Sequence, residues 1–386
     1  MRIARLFPTA SLAALLPAIF LASAAQAADP NQVPPPPAIA ARAYLLVDHN
    51  SGRALASLNE NQKLDPASIT KLMTAYAVFR SIKDKRIGLE DPVVVSEAAW
   101  RTGGSRSFID VGDRVPLSVL LKGMIIQSGN DASVALAEHV SGSEPAFADL
   151  MNQYARELGM GSTNYRNATG LSDPEHYTTA TDILKLANAI IREFPEYYRW
   201  YSEKEFTWNG ITQSNRNGLL WRDSTVDGMK TGFTETAGYC LVSSALRDGM
   251  RLVAVVLGTD SPTARERESQ TLLNYGYRFY ETKLLLPAGK PLSQARVWKG
   301  ETELVDVGVR RNVWVTLPRG TADQLKPTYT LPAQLMAPLD PATELGKVRV
   351  TLGNSTIAET GLYPLKPVAT GSLWQQGRDW VLLWFE

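Results

Sequence analysis

Ser68 and Lys71, three residues apart, are the first pair of side chains that could do chemistry together. They follow Asp65 and Pro66, residue types that begin helices at the N-cap and the first helical position. Residues i and i+3 share one face of a helix, so the Lys71 amine can reach the Ser68 hydroxyl. A helix N-terminus also supplies backbone N–H donors for an oxyanion. The pair predicts a serine nucleophile activated by a lysine base.

Two further polar segments complete a set of three. Ser128 to Asn130 lies between two helical patterns, where Gly129 permits an unusual backbone conformation in a tight loop. Lys230 to Gly232 lies inside a strand pattern, where a glycine is unfavourable unless another backbone approaches closely. Taken singly, these segments could be a turn, an N-cap or a bulged edge strand. In this order, on a helix start, a loop and a strand, the three match the motif set of serine acyl-enzymes.

The sequence lacks the residue patterns that other classes of hydrolase require. His49, His139 and His176 lie outside any nucleophile-elbow arrangement and no G-x-S-x-G is present, which disfavours a Ser-His-Asp hydrolase. No H-E-x-x-H or comparable spacing occurs, so we expect neither a metal nor a cofactor. Cys240, the single cysteine, is predicted to be a buried structural thiol. The net charge of +1 gives no indication of nucleic-acid binding.

Strands and helices must bring the three segments together. Residues 44–58 show two apolar runs around a turn, which predicts a hairpin, and the periodicity is helical from residue 65 to about residue 198. After residue 218 the pattern predicts three strands, over residues 225–231, 238–245 and 251–257, and then a helix over residues 263–279. Strands at both ends of a helical middle imply one sheet made of distant segments.

The N-terminal residues are typical of an export signal. Two arginines precede a mostly apolar stretch over residues 10–22, and a small-residue cleavage signal ends at Ala27. We therefore predict a signal peptide over residues 1–27 and an exported mature chain. Residues 28–37, which include four consecutive prolines, are predicted to be an extended spacer.

Short strand patterns alternate with turns beyond residue 290 and contain no cluster of catalytic residue types. We expect a small all-β sandwich over residues 291–366, acting as a spacer or docking module. The tail, residues 372–386, holds three tryptophans with polar residues on the other side if it is helical. It is predicted to bind a membrane interface, with a strand or core-packing segment as the alternative, because Gly377 weakens a helix.

The segments together resemble the D-alanyl-D-alanine carboxypeptidase family of penicillin-binding proteins over most of the mature chain. The resemblance is carried by residues 65–71, 127–132, 215–221, 226–232 and 237–239. It implies an α/β serine acyl-transferase domain of the β-lactamase and transpeptidase type over residues 38–284, with an antiparallel sheet and a helical subdomain, followed by the β-sandwich. It also implies that peptidoglycan pentapeptide stems and β-lactam antibiotics bind to the chain.

The resemblance implies a catalytic role for three residues. Ser68 would attack the carbonyl of the penultimate D-alanine, neutral Lys71 would take its proton, and Ser128 would relay a proton to the departing D-alanine. The nearby positive charge of Lys230 and partial burial would lower the pKa of Lys71. Asn130 would orient Lys71 and the substrate amide.

The implied substrate-binding residues are Asn130, Lys230, Thr231, Gly232, Phe233 and Arg265. Lys230, Thr231 and Arg265 resemble the family's clamp for the terminal carboxylate, and a surface helix charge is the alternative for Arg265. The backbone amides of Ser68 and Phe233 would form the oxyanion hole. Phe233 stands where some relatives carry histidine, so its side chain cannot share a proton as an imidazole does.

Three alternatives share parts of this pattern. A β-lactamase has the same motifs, but the usual E-x-x-L-N is missing between Asn130 and Lys230, and the β domain has no reason to exist there. A D,D-endopeptidase, which cuts crosslinks, would need a cleft that accepts a chain beyond the terminal D-alanine. A non-catalytic wall-binding scaffold predicts decay of a catalytic residue, and none has decayed. The resemblance further implies a periplasmic enzyme held by its tail on the outer face of the inner membrane.

Overall fold

The computed structural model describes residues 33–385 of the 386-residue chain. The predicted signal peptide, residues 1–27, lies outside the described residues, as do residues 28–32 and 386. The described part of the predicted spacer lies against the long helix of the first domain, where the Pro34 carbonyl accepts a hydrogen bond of 2.9 Å from the Tyr275 hydroxyl.

The described strands are β1 (Ala43–Asp48), β2 (Ala54–Leu58), β3 (Pro92–Val94), β4 (Arg114–Pro116), β5 (Glu205–Trp208), β6 (Ile211–Ser214), β7 (Val226–Thr234), β8 (Gly238–Arg247), β9 (Met250–Thr259), β10 (Tyr280–Leu286), β11 (Ser293–Trp298), β12 (Leu304–Gly308), β13 (Val313–Pro318), β14 (Leu325–Thr330), β15 (Leu335–Met336), β16 (Gly346–Leu352) and β17 (Ser355–Pro364). The described α-helices are α1 (Lys71–Lys83), α2 (Glu97–Arg101), α3 (Leu117–Lys122), α4 (Asn130–Ser141), α5 (Glu144–Glu157), α6 (Ala180–Glu193), α7 (Pro195–Tyr198), α8 (Leu219–Arg222), α9 (Pro262–Phe279) and α10 (Leu373–Leu382).

An antiparallel sheet with the order β2-β1-β9-β8-β7 forms the centre of the first domain. Strands β8 and β9 are buried on both faces, which explains why their sequences are continuous apolar runs without polar alternation. Helix α9 packs on one face, and the helical subdomain packs on the other. The predicted sheet made of distant segments is confirmed.

The helical subdomain surrounds α1, which packs against α4, α5 and α6. Most residues of α1 are buried, as expected for a helix that is apolar on nearly every side. The subdomain also contains the short strand pair β3–β4, and the hairpin β5–β6 follows it. The sequence pattern did not predict these four strands, because each is too short to show a clear alternation.

The second domain is all-β, as predicted. It contains a six-stranded sheet with the order β14-β16-β17-β12-β11-β15 and the antiparallel pair β10–β13. The predicted boundary after residue 284 falls inside β10, because this strand pairs with β13 and its Leu286 packs against Val348 and Leu362 of the second domain. The first domain therefore ends before β10, at the end of α9.

Hydrogen bonds hold the turn between β1 and β2 against the second domain. The Thr282 hydroxyl donates to the Asp48 carboxylate at 2.8 Å, and the Ser51 and Thr316 hydroxyl oxygens are 2.6 Å apart. The Arg53 guanidinium donates to the Thr316 carbonyl, also at 2.6 Å. These bonds join the second domain to the edge of the central sheet.

The tail forms a helix, α10, that is fixed to the second domain. Ser372 and Gln375 make a capping box at its start. The buried Asp379 carboxylate accepts a hydrogen bond of 2.7 Å from the backbone N–H of Lys299. Among residues 33–385, no helix is both long enough and apolar enough to cross a membrane.

Candidate active site

Ser68 lies in a 3-10 turn, Ala67–Thr70, that leads into α1. The sequence predicted a regular helix with Asp65 as the N-cap and Pro66 inside the first turn, and this detail is wrong. Pro66 occupies the N-cap position, and Ala67 has a φ of +47°, a left-handed conformation that a regular α-helix excludes. The Asp65 carboxylate accepts from the Ala67 N–H at 2.8 Å, so it caps the 3-10 turn and not α1 itself.

The amine of Lys71 makes three hydrogen bonds in a buried site. Its Nζ lies 2.9 Å from Ser68 Oγ, 2.7 Å from Asn130 Oδ1 and 2.6 Å from the Thr169 carbonyl oxygen. Asn130 is held in turn by its own Nδ2, which donates to the Gly103 carbonyl at 2.6 Å. The structure therefore contains the expected contact from Lys71 to Ser68 and the expected contact from Asn130 to Lys71.

Two buried amines of the site have lowered pKa values. Burial lowers the pKa of Lys71 to about 7, because desolvation disfavours its ammonium form, while the charges of Asp131 and Glu144 oppose the shift. Burial and neighbouring positive charges, Lys71 first among them, hold the pKa of Lys230 well below its ordinary value. Lysines with perturbed pKa values beside a serine hydroxyl in a cleft indicate a functional site.

The second motif lies on a loop where the chain reverses. Helix α3 continues into a π-turn, Gly123–Gln127, and Ser128 follows with a φ of +71°. A left-handed serine is uncommon and is the kind of strain that clusters at active sites. The sequence assigned the unusual conformation to Gly129, but that residue has a φ of −57°. Gly129 is needed for space, since a Cβ there would lie 1.9 Å from the Ser107 hydroxyl oxygen.

The third motif lies on β7, the edge strand that passes beside the Ser68 turn. Lys230 and Thr231 are buried on this strand. A Cβ at Gly232 would lie 3.1 Å from the Pro66 carbonyl oxygen and 3.2 Å from the Ala67 Cβ. The predicted close approach of a second backbone therefore explains this glycine.

Arg265, in the first turn of α9, reaches towards the same strand. Its side chain donates to the Gly232 carbonyl at 3.3 Å and to the Arg216 carbonyl at 3.5 Å, and its buried Nε has no hydrogen-bond partner among residues 33–385. The guanidinium lies 5.7 Å from the centre of the Tyr239 ring, on which Phe233 stacks. Arg265 is 8% exposed and so is not a surface charge. A buried guanidinium with long hydrogen bonds and a free donor can bind an anion.

One cleft of about 510 Å³ contains most of the predicted site. It is lined by Ser68, Ser128, Asn130, Thr231, Gly232, Phe233 and Arg265. Lys71 lies behind Ser68 in its hydrogen-bonded position, and Lys230 is buried next to it. The structure therefore brings together all the residues that the sequence assigned to the site. Within residues 33–385, no group of three or more His, Cys, Asp or Glu side chains could hold a metal ion.

Among the cleft residues that sequence reasoning missed, three bear most directly on the chemistry. Thr169 contributes its carbonyl oxygen, and a backbone acceptor leaves no mark in the residue type. Gly170 has a φ of +81° and approaches the nucleophile turn so closely that a Cβ would lie 1.9 Å from the Ala67 carbonyl oxygen. Arg216 also lines the cleft. The sequence did contain a signal for Arg216, because this residue belongs to one of the segments that carried the family resemblance.

The comparison with family models agrees with this geometry. Residues 29–261 match the model described as D-alanyl-D-alanine carboxypeptidase. The chain belongs to the D-alanyl-D-alanine carboxypeptidase family. Residues 280–370 match the model described as penicillin-binding protein 5, C-terminal domain. The matched segment begins at Tyr280, which is also the first residue of β10. The family resemblance that the motifs indicated is confirmed.

Members of this family are similar to the chain over almost its whole length. D-alanyl-D-alanine carboxypeptidase DacA of Escherichia coli (strain K12) is 40% identical over 393 residues, covering 99% of this chain and 97% of the relative. DacA of Haemophilus influenzae is 42% identical over 354 residues, covering 90% of each chain. This coverage includes both domains.

Solved structures of family members share the fold. Penicillin-binding protein 5 from Haemophilus influenzae matches with a TM-score of 0.83 and 43% identity, covering 86% of this chain and 99% of that structure. Penicillin-binding protein 6B from Escherichia coli matches with a TM-score of 0.72 and 38% identity, covering 85% and 96%. The predicted fold class, an α/β acyl-transferase domain followed by an all-β domain, is confirmed.

Proposed function

We propose that this protein removes the terminal D-alanine from peptidoglycan stem peptides through an acyl-enzyme on Ser68, and that β-lactams acylate the same serine. The observation that carries the proposal is the position of the buried Lys71 amine, which is hydrogen-bonded to Ser68, Asn130 and Thr169 together. A lysine in this position can act as a general base towards the serine. Membership of the D-alanyl-D-alanine carboxypeptidase family supplies the substrate class.

The hydrogen bonds of Lys71 direct its lone pair towards Ser68. A neutral amine has two N–H donors and one lone pair. Asn130 Oδ1 and the Thr169 carbonyl can only accept, so they take the two N–H groups. The lone pair then faces the Ser68 hydroxyl at 2.9 Å. With a pKa of about 7, a large fraction of Lys71 is in this neutral form at neutral pH. The Ser68 proton passes to Lys71 as Oγ bonds to the substrate carbonyl carbon.

The free donor of Arg265 supports a clamp for the terminal carboxylate. Its Nε is buried and without a partner among the described residues, and Thr231 and Arg216 line the cleft beside it. A carboxylate placed between these groups would accept charge-assisted hydrogen bonds. The buried Lys230 adds a positive potential behind it when protonated. This position sets the amide of the terminal D-alanine across the opening of the cleft above Ser68.

The oxyanion is proposed to bind to the backbone amides of Ser68 and Phe233. The first amide belongs to the 3-10 turn and the second follows Gly232, whose close approach brings β7 against that turn. Backbone amides fixed in this manner need no reorganisation as charge develops on the carbonyl oxygen. The Phe233 ring stacks on the Tyr239 ring with 4.2 Å between their centroids. It forms an apolar wall of the cleft and has no proton to donate.

Ser128 is proposed to carry a proton to the departing amine. It lines the same cleft as Ser68 and has a left-handed backbone at the start of the loop before α4. Release of D-alanine requires one proton on the leaving nitrogen, and the proton that Lys71 accepted from Ser68 supplies it. Water then attacks the acyl carbonyl and gives a proton to Lys71. The bond from the carbonyl carbon to Ser68 Oγ breaks as Lys71 returns that proton to Oγ.

We further propose that the mature chain acts in the periplasm and attaches to the outer face of the inner membrane through its tail. The tail exposes several large apolar side chains: Leu373, Trp374, Trp380, Val381, Trp384 and Phe385. An exposed apolar group with tryptophans on a short helix is typical of binding to a membrane interface. The Asp379 bond to Lys299 fixes the orientation of this helix on the second domain.

The shape of the cleft favours D,D-endopeptidase activity as a second candidate. A groove of about 610 Å³ shares Arg216, Pro262 and Arg265 with the cleft, so the two adjoin at the proposed carboxylate clamp. Two exposed apolar side chains, Phe108 and Ile211, lie along it. In a crosslinked stem, the residue that follows the scissile bond carries a longer side chain than D-alanine, and the groove offers room for that chain.

The test of the main proposal is release of D-alanine from diacetyl-L-lysyl-D-alanyl-D-alanine by the mature protein, measured beside the Ser68→Ala variant. We expect release by the parent and none by the variant. A parent protein that releases no D-alanine would contradict the proposal. Incubation of both proteins with a crosslinked muropeptide dimer tests the second candidate, which predicts two monomers from the parent; an intact dimer beside normal D-alanine release would exclude it.

A further inference from the structure

His176 connects the two sides of the Lys71 site and has no part in the mechanism above. It is 2% exposed, and its Nε2 lies 2.9 Å from the Thr70 hydroxyl oxygen. Its Nδ1 accepts a hydrogen bond of 3.3 Å from the backbone N–H of Arg166. The imidazole also packs edge-on against the Tyr165 ring, with 5.6 Å between centroids. It therefore bridges the 3-10 turn of the nucleophile and the loop that starts at Arg166.

These contacts define which nitrogen carries the hydrogen. A backbone N–H only donates, so Nδ1 must present its lone pair to Arg166. The single hydrogen of the neutral ring is then on Nε2, which donates to Thr70 Oγ1. Burial lowers the pKa of His176 to about 4, against the opposing charges of Asp65 and Asp173, so the ring keeps this neutral form. A protonated ring would direct a second N–H at the Arg166 N–H.

The loop that His176 holds contains the third hydrogen-bond partner of Lys71. Thr169, three residues after Arg166, places its carbonyl oxygen 2.6 Å from Lys71 Nζ. On the other side of the bridge, Thr70 is the residue directly before Lys71. The imidazole thus contacts Thr70, the residue directly before the base Lys71. It also holds the loop whose Thr169 carbonyl accepts a hydrogen bond from Lys71.

The rest of the loop is braced independently of His176. The Asn167 Oδ1 accepts from the backbone N–H groups of Thr169 and Gly170 at 3.2 and 2.7 Å. The Thr74 hydroxyl donates to the Ala168 carbonyl at 2.7 Å. These bonds set the internal shape of the loop. Besides the bond from Lys71 to the Thr169 carbonyl, the loop is hydrogen-bonded to the segment that carries Ser68 and Lys71 through Thr74 and through His176, and the His176 bond falls inside the 3-10 turn.

We propose that His176 is a positioning residue for acylation, which holds the Thr169 carbonyl and the Thr70 turn in register so that the Lys71 lone pair faces Ser68. The inference rests on the proposed acyl-serine mechanism. It concerns the rate of the chemical step and not the affinity for substrate, because Arg265, Lys230 and Thr231 lie on other elements. A displacement of the base by about 1 Å costs a factor of about 100 in rate.

The experiment compares His176→Leu, His176→Gln and Thr70→Val with the parent in stopped-flow acylation by a reporter penicillin. Saturation curves separate the acylation rate constant from the dissociation constant of the noncovalent complex. We expect His176→Leu to lower the rate constant by about 10- to 100-fold with the dissociation constant unchanged. The glutamine variant keeps an N–H donor for Thr70, and we expect its rate within about threefold of the parent.

A matched control and a coupling measurement distinguish positioning from general destabilisation. His139→Leu changes a histidine in the last turn of α4, whose Nε2 lies 3.9 Å from the Asp91 carboxylate, and we expect the parental rate. The double variant Thr70→Val with His176→Leu should be no slower than either single variant, because both remove the same bond. If the variants that contain His176→Leu do not fold, the acylation rates of His176→Gln and Thr70→Val are compared with each other and with the parent, provided that their Tm values match.

The outcomes separate this inference from the proposed function. A parent that forms no acyl-enzyme contradicts the proposed function itself. A parent that acylates normally beside a folded His176→Leu or Thr70→Val variant with the parental rate overturns only the positioning role. So does a glutamine variant that has the parental Tm and loses as much rate as the leucine variant, or a double variant in which the two losses multiply.

Discussion

The carbonyl oxygen of Thr169 lies 2.6 Å from the amine nitrogen of Lys71, so a backbone atom completes the site of the base. Asn130 Oδ1, at 2.7 Å, is the other obligate acceptor. With both N–H groups of the neutral amine engaged, the lone pair has one direction left, towards Ser68. The arrangement makes the lysine a directed base and satisfies the hydrogen-bonding groups of its buried amine.

The lowered pKa of Lys71 predicts the pH dependence of acylation. The base acts when neutral, so the acylation rate rises as pH increases through about 7 and levels off above it. Below this pH the rate falls by about tenfold per unit, because the neutral fraction of Lys71 decreases in that proportion. Stopped-flow acylation by penicillin between about pH 5 and pH 9 measures the profile. A rate that stays constant across the acid range would contradict the assignment of Lys71 as the base.

Replacing Arg265 tests the carboxylate clamp. We expect Arg265→Gln to raise the KM for a peptide ending in free D-alanine by about 10- to 100-fold, because a charge-assisted hydrogen bond is lost. A peptide ending in D-alanine amide lacks the carboxylate and should be affected far less. Arg267→Gln, a control on the exposed side of the same helix where Arg267 pairs with Glu268, should leave both KM values unchanged. Equal losses on both peptides in Arg265→Gln would argue against the clamp.

The sequence predicted the reactive side chains of this site better than it predicted the backbone conformations there. The spacing of Ser68 and Lys71 was sufficient to predict their contact, since a single helical turn sets it and the 3-10 turn preserves it. The left-handed backbone of Ser128 was assigned to its neighbour Gly129, because glycine is the ordinary residue for that conformation, whereas here the glycine makes room for Ser107. Acceptors such as the Thr169 carbonyl depend on tertiary placement and have no signature in the residue type.

Gly170 is predicted to be intolerant of a side chain. Its φ of +81° is unfavourable for any L-residue, and a Cβ would lie 1.9 Å from the Ala67 carbonyl oxygen. We expect Gly170→Ala to lower the free energy of unfolding by more than about 3 kcal/mol and to slow acylation, because the nucleophile turn must move. Denaturant unfolding and acylation rates measure the two effects.

Gly159 is the matched control for that substitution. Its φ is +71° and a Cβ there meets no atom of residues 33–385 within 4 Å, so it shares the backbone strain of Gly170 but not the crowding. We expect Gly159→Ala to cost about 1 kcal/mol and to leave acylation unchanged. Similar losses at the two positions would mean that crowding against the Ser68 turn is unimportant.

The exposed apolar residues of the tail predict binding to lipid. We expect the mature protein to cosediment with vesicles of anionic phospholipid, and Trp380→Ser or Trp384→Ser to weaken that binding by about tenfold each through lost apolar burial. Trp221→Ser, which changes an exposed tryptophan of the first domain, is the control and should bind as the parent does. Equal binding by all variants, or none by the parent, would contradict anchoring through α10.

The fold of the first domain was predicted where elements are long and periodic. Helix α9 and strands β8 and β9 have clear patterns because each is buried along most of its length. The hairpin β5–β6 was missed, since its strands are short and half-exposed. The predicted boundary at residue 284 falls inside β10, which continues directly from α9 without the turn residues that mark a domain boundary and pairs with β13 of the second domain.

A covalent acyl-enzyme on Ser68 can be detected by mapping the site at which penicillin attaches. The mature protein is labelled with penicillin, digested and examined by mass spectrometry beside the Ser68→Ala variant. We expect a single adduct on the peptide that contains Ser68 and no adduct on the variant. An adduct on any other residue, or an unmodified parent protein, would contradict the proposed acyl-enzyme.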